Sequence, residues 1–223
     1  DDVLVPRVKS LNESLGYKSG DVFEVEGEPK IYIKGANDEN IQLDIDKATY
    51  CKLFPPIERF SNTQNNIGNC WEVTGFNTIF RNSQDRSRVL QCFHQKGDDV
   101  VVEFPNSNRQ YSLAGMKNQA NMDYLSEGSL GFKLLEYADG KELFRERMAM
   151  YIYNMSQKIN DPSIDVAKRN ELQKELDDFL NLSADEQNKI YFDDDGNIID
   201  KPEKMYDGGS TYTRDGGFSF ELF

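Results

Sequence analysis

The run Gln64-Asn65-Asn66-Ile67-Gly68-Asn69-Cys70-Trp71 constrains this chain more than any other stretch, because it closes a loop and opens a helix within eight residues. Upstream, Leu53-Phe54-Pro55-Pro56 ends regular structure, since proline lacks an N–H and restricts the residue before it. Gly68-Asn69 suits a tight turn. Downstream, Val73, Phe76, Ile79 and Phe80 recur at the spacing of one helix face. The spacing predicts a helix that starts at Cys70 with the thiol on its first turn. It also places the Gln64 amide, six residues earlier, near enough to point at the same space.

That arrangement suits a cysteine nucleophile. A free cysteine is mostly protonated at neutral pH, with a pKa of about 8.5. The unsatisfied N–H groups and the macrodipole of a helix N-terminus favour the thiolate. When a thiolate attacks a carbonyl, negative charge develops on the oxygen and needs donors already in place. Cys70 is the candidate nucleophile; its own N–H and the Gln64 side-chain amide are the candidate oxyanion donors. The plainer alternative is a buried cysteine whose neighbour Trp71 belongs to the core. The acid/base partner is harder to find: the single histidine, His94, follows Cys70 by 24 residues. The pattern puts it at the end of a helix over 84–93, where it reads as a helix-end or surface residue.

Charge and composition exclude several classes. A chain of 223 residues can bury a substantial core. With 39 acidic against 26 basic residues the net charge is −13, and no basic stripe is present, which argues against nucleic-acid binding. No apolar stretch approaches the roughly 18 residues of a membrane helix. Three cysteines (Cys51, Cys70, Cys92) with no CxxC pair, and one histidine, argue against a zinc site. Buried free thiols in a reducing compartment are the preferred reading, which favours the cytoplasm; a Cys51–Cys92 disulfide is the alternative. No secretory signal is visible, but the chain opens on Asp1-Asp2 rather than Met, so localisation stays open.

The first part of the chain reads as strands. Val22-Phe23-Glu24-Val25 alternates, and Lys30-Ile31-Tyr32-Ile33-Lys34 and Ile41-Gln42-Leu43-Asp44-Ile45 flank a polar turn as a hairpin does. Val100-Val101-Val102-Glu103-Phe104 reads as a short buried strand. Helical spacing covers 129–139, 141–159 and 165–182, the second ending at Asp161-Pro162. The segment from Ile190 to Ile199 superficially matches a calcium loop. With Gly196 at the sixth position, however, Tyr191 and Pro202 fall at the first and twelfth, where carboxylates are needed. A hairpin with an Asp-Gly turn fits better. The acidic loops Asp98-Asp99 and Asp193-Asp194-Asp195 are read as solvated surface, with calcium as the weaker alternative. The tail, Gly208-Gly209 and then 216–223, is glycine-rich and then strand-like.

Gln64 to Trp71 resembles the active-site segment of papain-fold cysteine proteases, most closely the calpain family, where the stretch reads approximately Gln-Gly-x-Leu-Gly-Asp-Cys-Trp. This chain departs with Asn65 and Asn69. Residues 97–105 look like that family's strand pair. Gly128-Ser129-Leu130-Gly131-Phe132-Lys133-Leu134-Leu135-Glu136-Tyr137-Ala138 is similar to a family helix where Leu-Leu-Glu-x-Ala is typical. Gly208-Gly209 resembles the double glycine that opens the family's second subdomain. The resemblance covers roughly 53–139 and a short C-terminal stretch; the helices of 141–182 fall outside it.

The resemblance implies an α+β, papain-like fold. A β-rich segment (1–50) would precede a mainly helical Cys-bearing subdomain (51–205) with a helical insertion (141–182), and 206–223 would start a β-rich subdomain. It implies a cysteine endopeptidase acting on polypeptides, with Cys70 as nucleophile, Gln64 in the oxyanion hole, and Trp71, Gly208 and Gly209 at the substrate; no metal or other cofactor is called for. The two glycines serve equally as a plain turn. In that family a histidine and an asparagine of the second subdomain complete the triad. The expectation is that they lie beyond this chain's end and that the chain alone is inactive. A catalytically inactive papain-fold binding or scaffolding module is the alternative, and transglutaminase-type acyl transfer the second alternative.

Overall fold

A computed structural model describes residues 5–56, 62–203, 206 and 208–215. The chain is α+β. It divides into two compact units, the first reaching to Ala138 and the second beginning at Asp139.

The first unit opens with a four-stranded sheet in the order β1 (Arg7–Val8), β2 (Val22–Val25), β3 (Ile31–Lys34), β4 (Asn40–Gln42). β1 and β2 are parallel and the other pairs antiparallel, with Phe23 opposite Tyr32 and Val22 opposite Ile33. Successive side chains alternate between faces. Val22, Ile31 and Ile33 therefore enter the main core, while Phe23, Val25 and Tyr32 join Val8 in a smaller cluster on the other face. Both faces are covered, which is why all of β3 is buried.

Helix α1 (Lys47–Leu53) is capped by Asp46, whose side chain accepts from the Thr49 N–H, and ends before the expected proline break. α2 (Cys70–Arg81) and α3 (Ser83–Leu90) follow. A three-stranded sheet comes next: β5 (Phe93–Lys96), β6 (Asp99–Val102) and β7 (Tyr111–Ser112). Here the structure corrects the helix expected over 84–93. The helix stops at Leu90, and Phe93 to Lys96 pair with Val102 to Asp99. Gly97, at φ 61°, makes the reversal between them. Pairing with a strand that follows closely outweighs the local helical pattern, and it sets His94 on a strand instead of a helix end. α4 (Leu113–Gln119) completes this region before α5 (Leu130–Asn160) begins.

The main core joins both sheets to the helices. Phe54 from α1's C-terminus packs against Phe80 of α2 and Phe93 of β5 at ring separations of 5.4 and 5.3 Å, and Phe80 meets Phe132 of α5 at 4.4 Å. Gly131 permits this closeness, since a Cβ there would lie 2.3 Å from the Phe54 ring. Val73, Phe76 and Phe80 are buried, so the predicted stripe of α2 faces inward. The opposite side of α2 is left to solvent, and Cys70 stands at its start.

The two helical stretches expected over 129–139 and 141–159 form one continuous helix, α5. Gly140 does not interrupt it. In the second unit Gly140 instead gives room to α8 (Gly209–Tyr212) and the residues after it: a Cβ there would meet Ser210 O at 2.8 Å and Arg214 Cδ at 2.9 Å. The second unit also holds α6 (Val166–Leu180), α7 (Ala184–Gln187) and the hairpin of β8 (Tyr191–Phe192) and β9 (Ile198–Ile199). Its core is Phe144, Tyr151, Met155, Leu176, Phe179 and Phe192. The hairpin is the one the Asp-Gly turn predicts, with Gly196 at φ 76°. After Gly208 the described residues form the single helical turn of α8; the strand pattern of 216–223 lies outside the described residues.

Candidate functional site

Between Asn62 and Asn69 the chain has no regular structure, so its backbone groups need other partners. Asn62 and Asn77 of α2 bind reciprocally: the Asn62 N–H donates to Asn77 Oδ1 and Asn77 Nδ2 donates to the Asn62 carbonyl, each at 3.0 Å. Thr63 and Glu127 exchange two backbone bonds of 2.8 Å as an isolated antiparallel bridge. Asn66 Nδ2 donates to the Asp123 carbonyl at 3.1 Å. Ile67 is buried and anchors the loop in between. The loop is thus fastened to α2 on one side and to 121–127 on the other.

Cys70 is the first residue of α2, as the spacing predicts, and it is exposed. Among the described residues its N–H donates to no protein acceptor, and the Val73 N–H donates to Asn69 O at 3.1 Å. Gln64 is exposed, and its Nε2 donates to the Ile67 carbonyl at 2.5 Å. That nitrogen carries a second N–H, so the bond orients the amide and leaves one donor over. Trp71 is half-buried beside the thiol in sequence. Gln64, Cys70 and Trp71 therefore share one loop–helix junction in the first unit.

The buried groups under this junction were not singled out from the sequence. Asn69 has no exposed surface, and its Nδ2 donates to two carboxylates, Glu136 Oε1 at 2.6 Å and Glu72 Oε2 at 2.9 Å. Glu136 Oε2 accepts in turn from the Ser126 N–H at 2.8 Å and the Ser126 hydroxyl at 2.7 Å. Glu72 and Glu136 are both almost fully buried. A glutamate inside the apolar run Leu134-Leu135-Glu136-Tyr137-Ala138 is the signal that could have found this network.

Gly208 and Gly209 belong to the second unit, and packing accounts for both. Gly208 lies at φ 100°, and a Cβ would stand 2.3 Å from Asn188 O; at Gly209 it would stand 2.1 Å from Ile190 O. The Gly209 N–H donates to Asn188 O at 2.7 Å.

His94 Nδ1 lies 3.1 Å from Asp44 Oδ2, beside the backbone bridge that joins these two residues. Burial raises the Asp44 carboxyl, but hydrogen bonds and charge from Lys30 and His94 outweigh it and hold the group below its usual value. Cys51 and Cys92 are free thiols, not a disulfide. Burial pushes the Cys92 thiol up to about 12. Carboxylates of the acidic loops serve backbone groups: Asp99 Oδ1 accepts from the Val100 N–H and from the Ala114 N–H in the first turn of α4, and Asp193 Oδ1 from those of Asp195 and Asn197 in the hairpin turn. Among the described residues no group of three or more His, Cys, Asp or Glu is placed to hold a metal ion, and no helix is long and apolar enough to cross a membrane. Comparison with protein-family models, with curated proteins and with solved structures finds no match for the chain.

Proposed function

We propose that this chain is the nucleophile-bearing part of a calpain-like, papain-fold cysteine endopeptidase. The observation that supports it is the Cys70 junction: an exposed thiol on the first residue of a helix, with its own N–H unengaged among the described residues and the Gln64 amide oriented in the same loop. In this reading the Cys70 thiolate attacks a peptide carbonyl carbon and forms an S–C bond. The Cys70 N–H and the Gln64 amide carry the charge on the tetrahedral oxygen. The C–N bond breaks, the amine leaves with a proton from an imidazolium, and a thioester remains. Water, giving a proton to the imidazole, attacks the thioester and releases the acid and the Cys70 thiolate.

The imidazole is the group this junction lacks. His94 is engaged with Asp44 on a strand, and in the resembled family the histidine and asparagine follow the double glycine. The proposal therefore assigns the base to a histidine outside residues 1–223. The test is the open reading frame continued past Phe223 and expressed with and without Cys70→Ala. Peptide hydrolysis that disappears with Cys70→Ala is the expected result. A continuation without a histidine, or hydrolysis indifferent to Cys70, overturns the reading, the former in favour of a binding module. Amide exchange onto an added amine in place of hydrolysis would assign acyl transfer of the transglutaminase type.

A further inference from the structure

The residue before α2 does not behave like the residues before α1, α3, α4, α6 and α7. Asp46, Asn82, Ser112, Asp165 and Ser183 each accept a first-turn N–H with the side chain, and their ψ angles lie between 108° and 173°. Asn69 is an equally good capping type, yet it makes no side-chain cap and its ψ is 33°. Its amide is turned inward, where Glu136 and Glu72 take one N–H each. Glu136 can hold it there because the Ser126 N–H and hydroxyl fix its other oxygen. A carboxylate almost wholly out of water is costly unless such donors surround it. The arrangement thus gives up a cap worth about 1 kcal/mol and places a buried carboxylate to do so.

We infer that Glu136 is a positioning residue for Cys70: by holding the Asn69 side chain inward, it keeps the partial negative charge of the amide oxygen away from the start of α2, where that charge would oppose a thiolate at the Cys70 sulfur. This deepens the proposed function and rests on it. Without the Glu136 carboxylate, Asn69 relaxes to the extended conformation of the other capping residues and its Oδ1 turns onto the first-turn N–H groups. The thiolate then competes with an internal acceptor.

The test is the rate of iodoacetamide alkylation of Cys70 against pH in residues 1–223, with circular dichroism as the check on folding. Glu136→Gln, whose amide cannot accept from both Asn69 and Ser126, is expected to slow alkylation at pH 7 about fivefold, the size of a helix-end interaction. Asn69→Ala removes the competing acceptor and is expected to react within about twofold of the unaltered chain. The double variant Glu136→Gln/Asn69→Ala is expected to regain the Asn69→Ala rate. A merely structural glutamate would leave the double variant as slow as Glu136→Gln, and that result overturns the inference. So does a rate unchanged or raised in Glu136→Gln, the raised rate meaning that the carboxylate acts only through its charge. Should Glu136→Gln not fold, Ser126→Ala loosens Glu136 by one donor, and an unchanged rate there also overturns the inference. Peptide hydrolysis indifferent to Cys70 sinks the proposed function instead, whatever Glu136 does to alkylation.

Discussion

Asn69 Nδ2 and Glu136 Oε1 lie 2.6 Å apart although 67 residues separate them in the chain. The bond ties the residue before Cys70 to α5, and Glu72 Oε2 draws the first turn of α2 to the same amide. The exposed thiol consequently stands on a junction fastened from below. The loop leading to it is fastened from both sides by Asn77 and Glu127.

Exposure separates the three thiols. Cys70 is exposed, Cys51 half-buried and Cys92 buried with its thiol pushed up to about 12. Limiting iodoacetamide at pH 7.5, a value of about one unit below an ordinary thiol, is expected to modify Cys70 first and Cys92 last, as read by peptide mass mapping. Equal labelling of Cys92 would contradict the burial of β5's entry.

Asp46 gives a pH-dependent contribution. Burial raises its carboxyl, the largest single influence, but the bonds from Thr49 and Gln95 together outweigh it and hold the group below its usual value. A depressed carboxyl contributes stability above its unfolded value of about 3.9 and loses it as pH falls through the folded value. Asp46→Ala is expected to cost about 1 kcal/mol at neutral pH as a lost cap. Urea titrations should show that difference shrinking below a pH of about 4; a difference that grows in acid would refute the assignment.

Two glycines are expected to respond in opposite directions. Gly208→Ala forces a Cβ to 2.3 Å from Asn188 O at φ 100°, and should lower stability by roughly 1–3 kcal/mol. Gly75 lies inside α2 with nothing within 4 Å of its Cβ position, so Gly75→Ala should raise stability by about 0.5–1 kcal/mol. Thermal melts of the two variants decide the pair.

Phe54 joins α1, α2 and β5 through contacts with Phe80 and Phe93 and has no exposed surface. Phe54→Ala is expected to cost about 3–5 kcal/mol in urea unfolding. Because Phe54 backs α2, the same variant should speed amide exchange across Val73 to Phe80; protected amides there would show that α2 is held by other contacts.

Local chemistry made much of this protein legible in its sequence. The alternation of Val22 to Val25 and Ile31 to Lys34, the Asp-Gly turn before Ile198, and the apolar stripe beginning at Val73 each reflect a period or a turn that neighbouring residues impose on themselves. The position of Cys70 at a helix start is of the same kind. Phe93 falls within the helix expected over 84–93 because local spacing does not show its pairing with Val102, and 129–139 and 141–159 read as two helices because the groups that Gly140 makes room for, Ser210 and Arg214, are about seventy residues away. Only the tertiary structure decided what lies beneath the thiol. Asn69 looks like an N-cap to its neighbours in sequence, and it fails to cap because Glu136 and Glu72 compete for its amide inside the core, where a hydrogen bond to a carboxylate is stronger than one to a helix N–H.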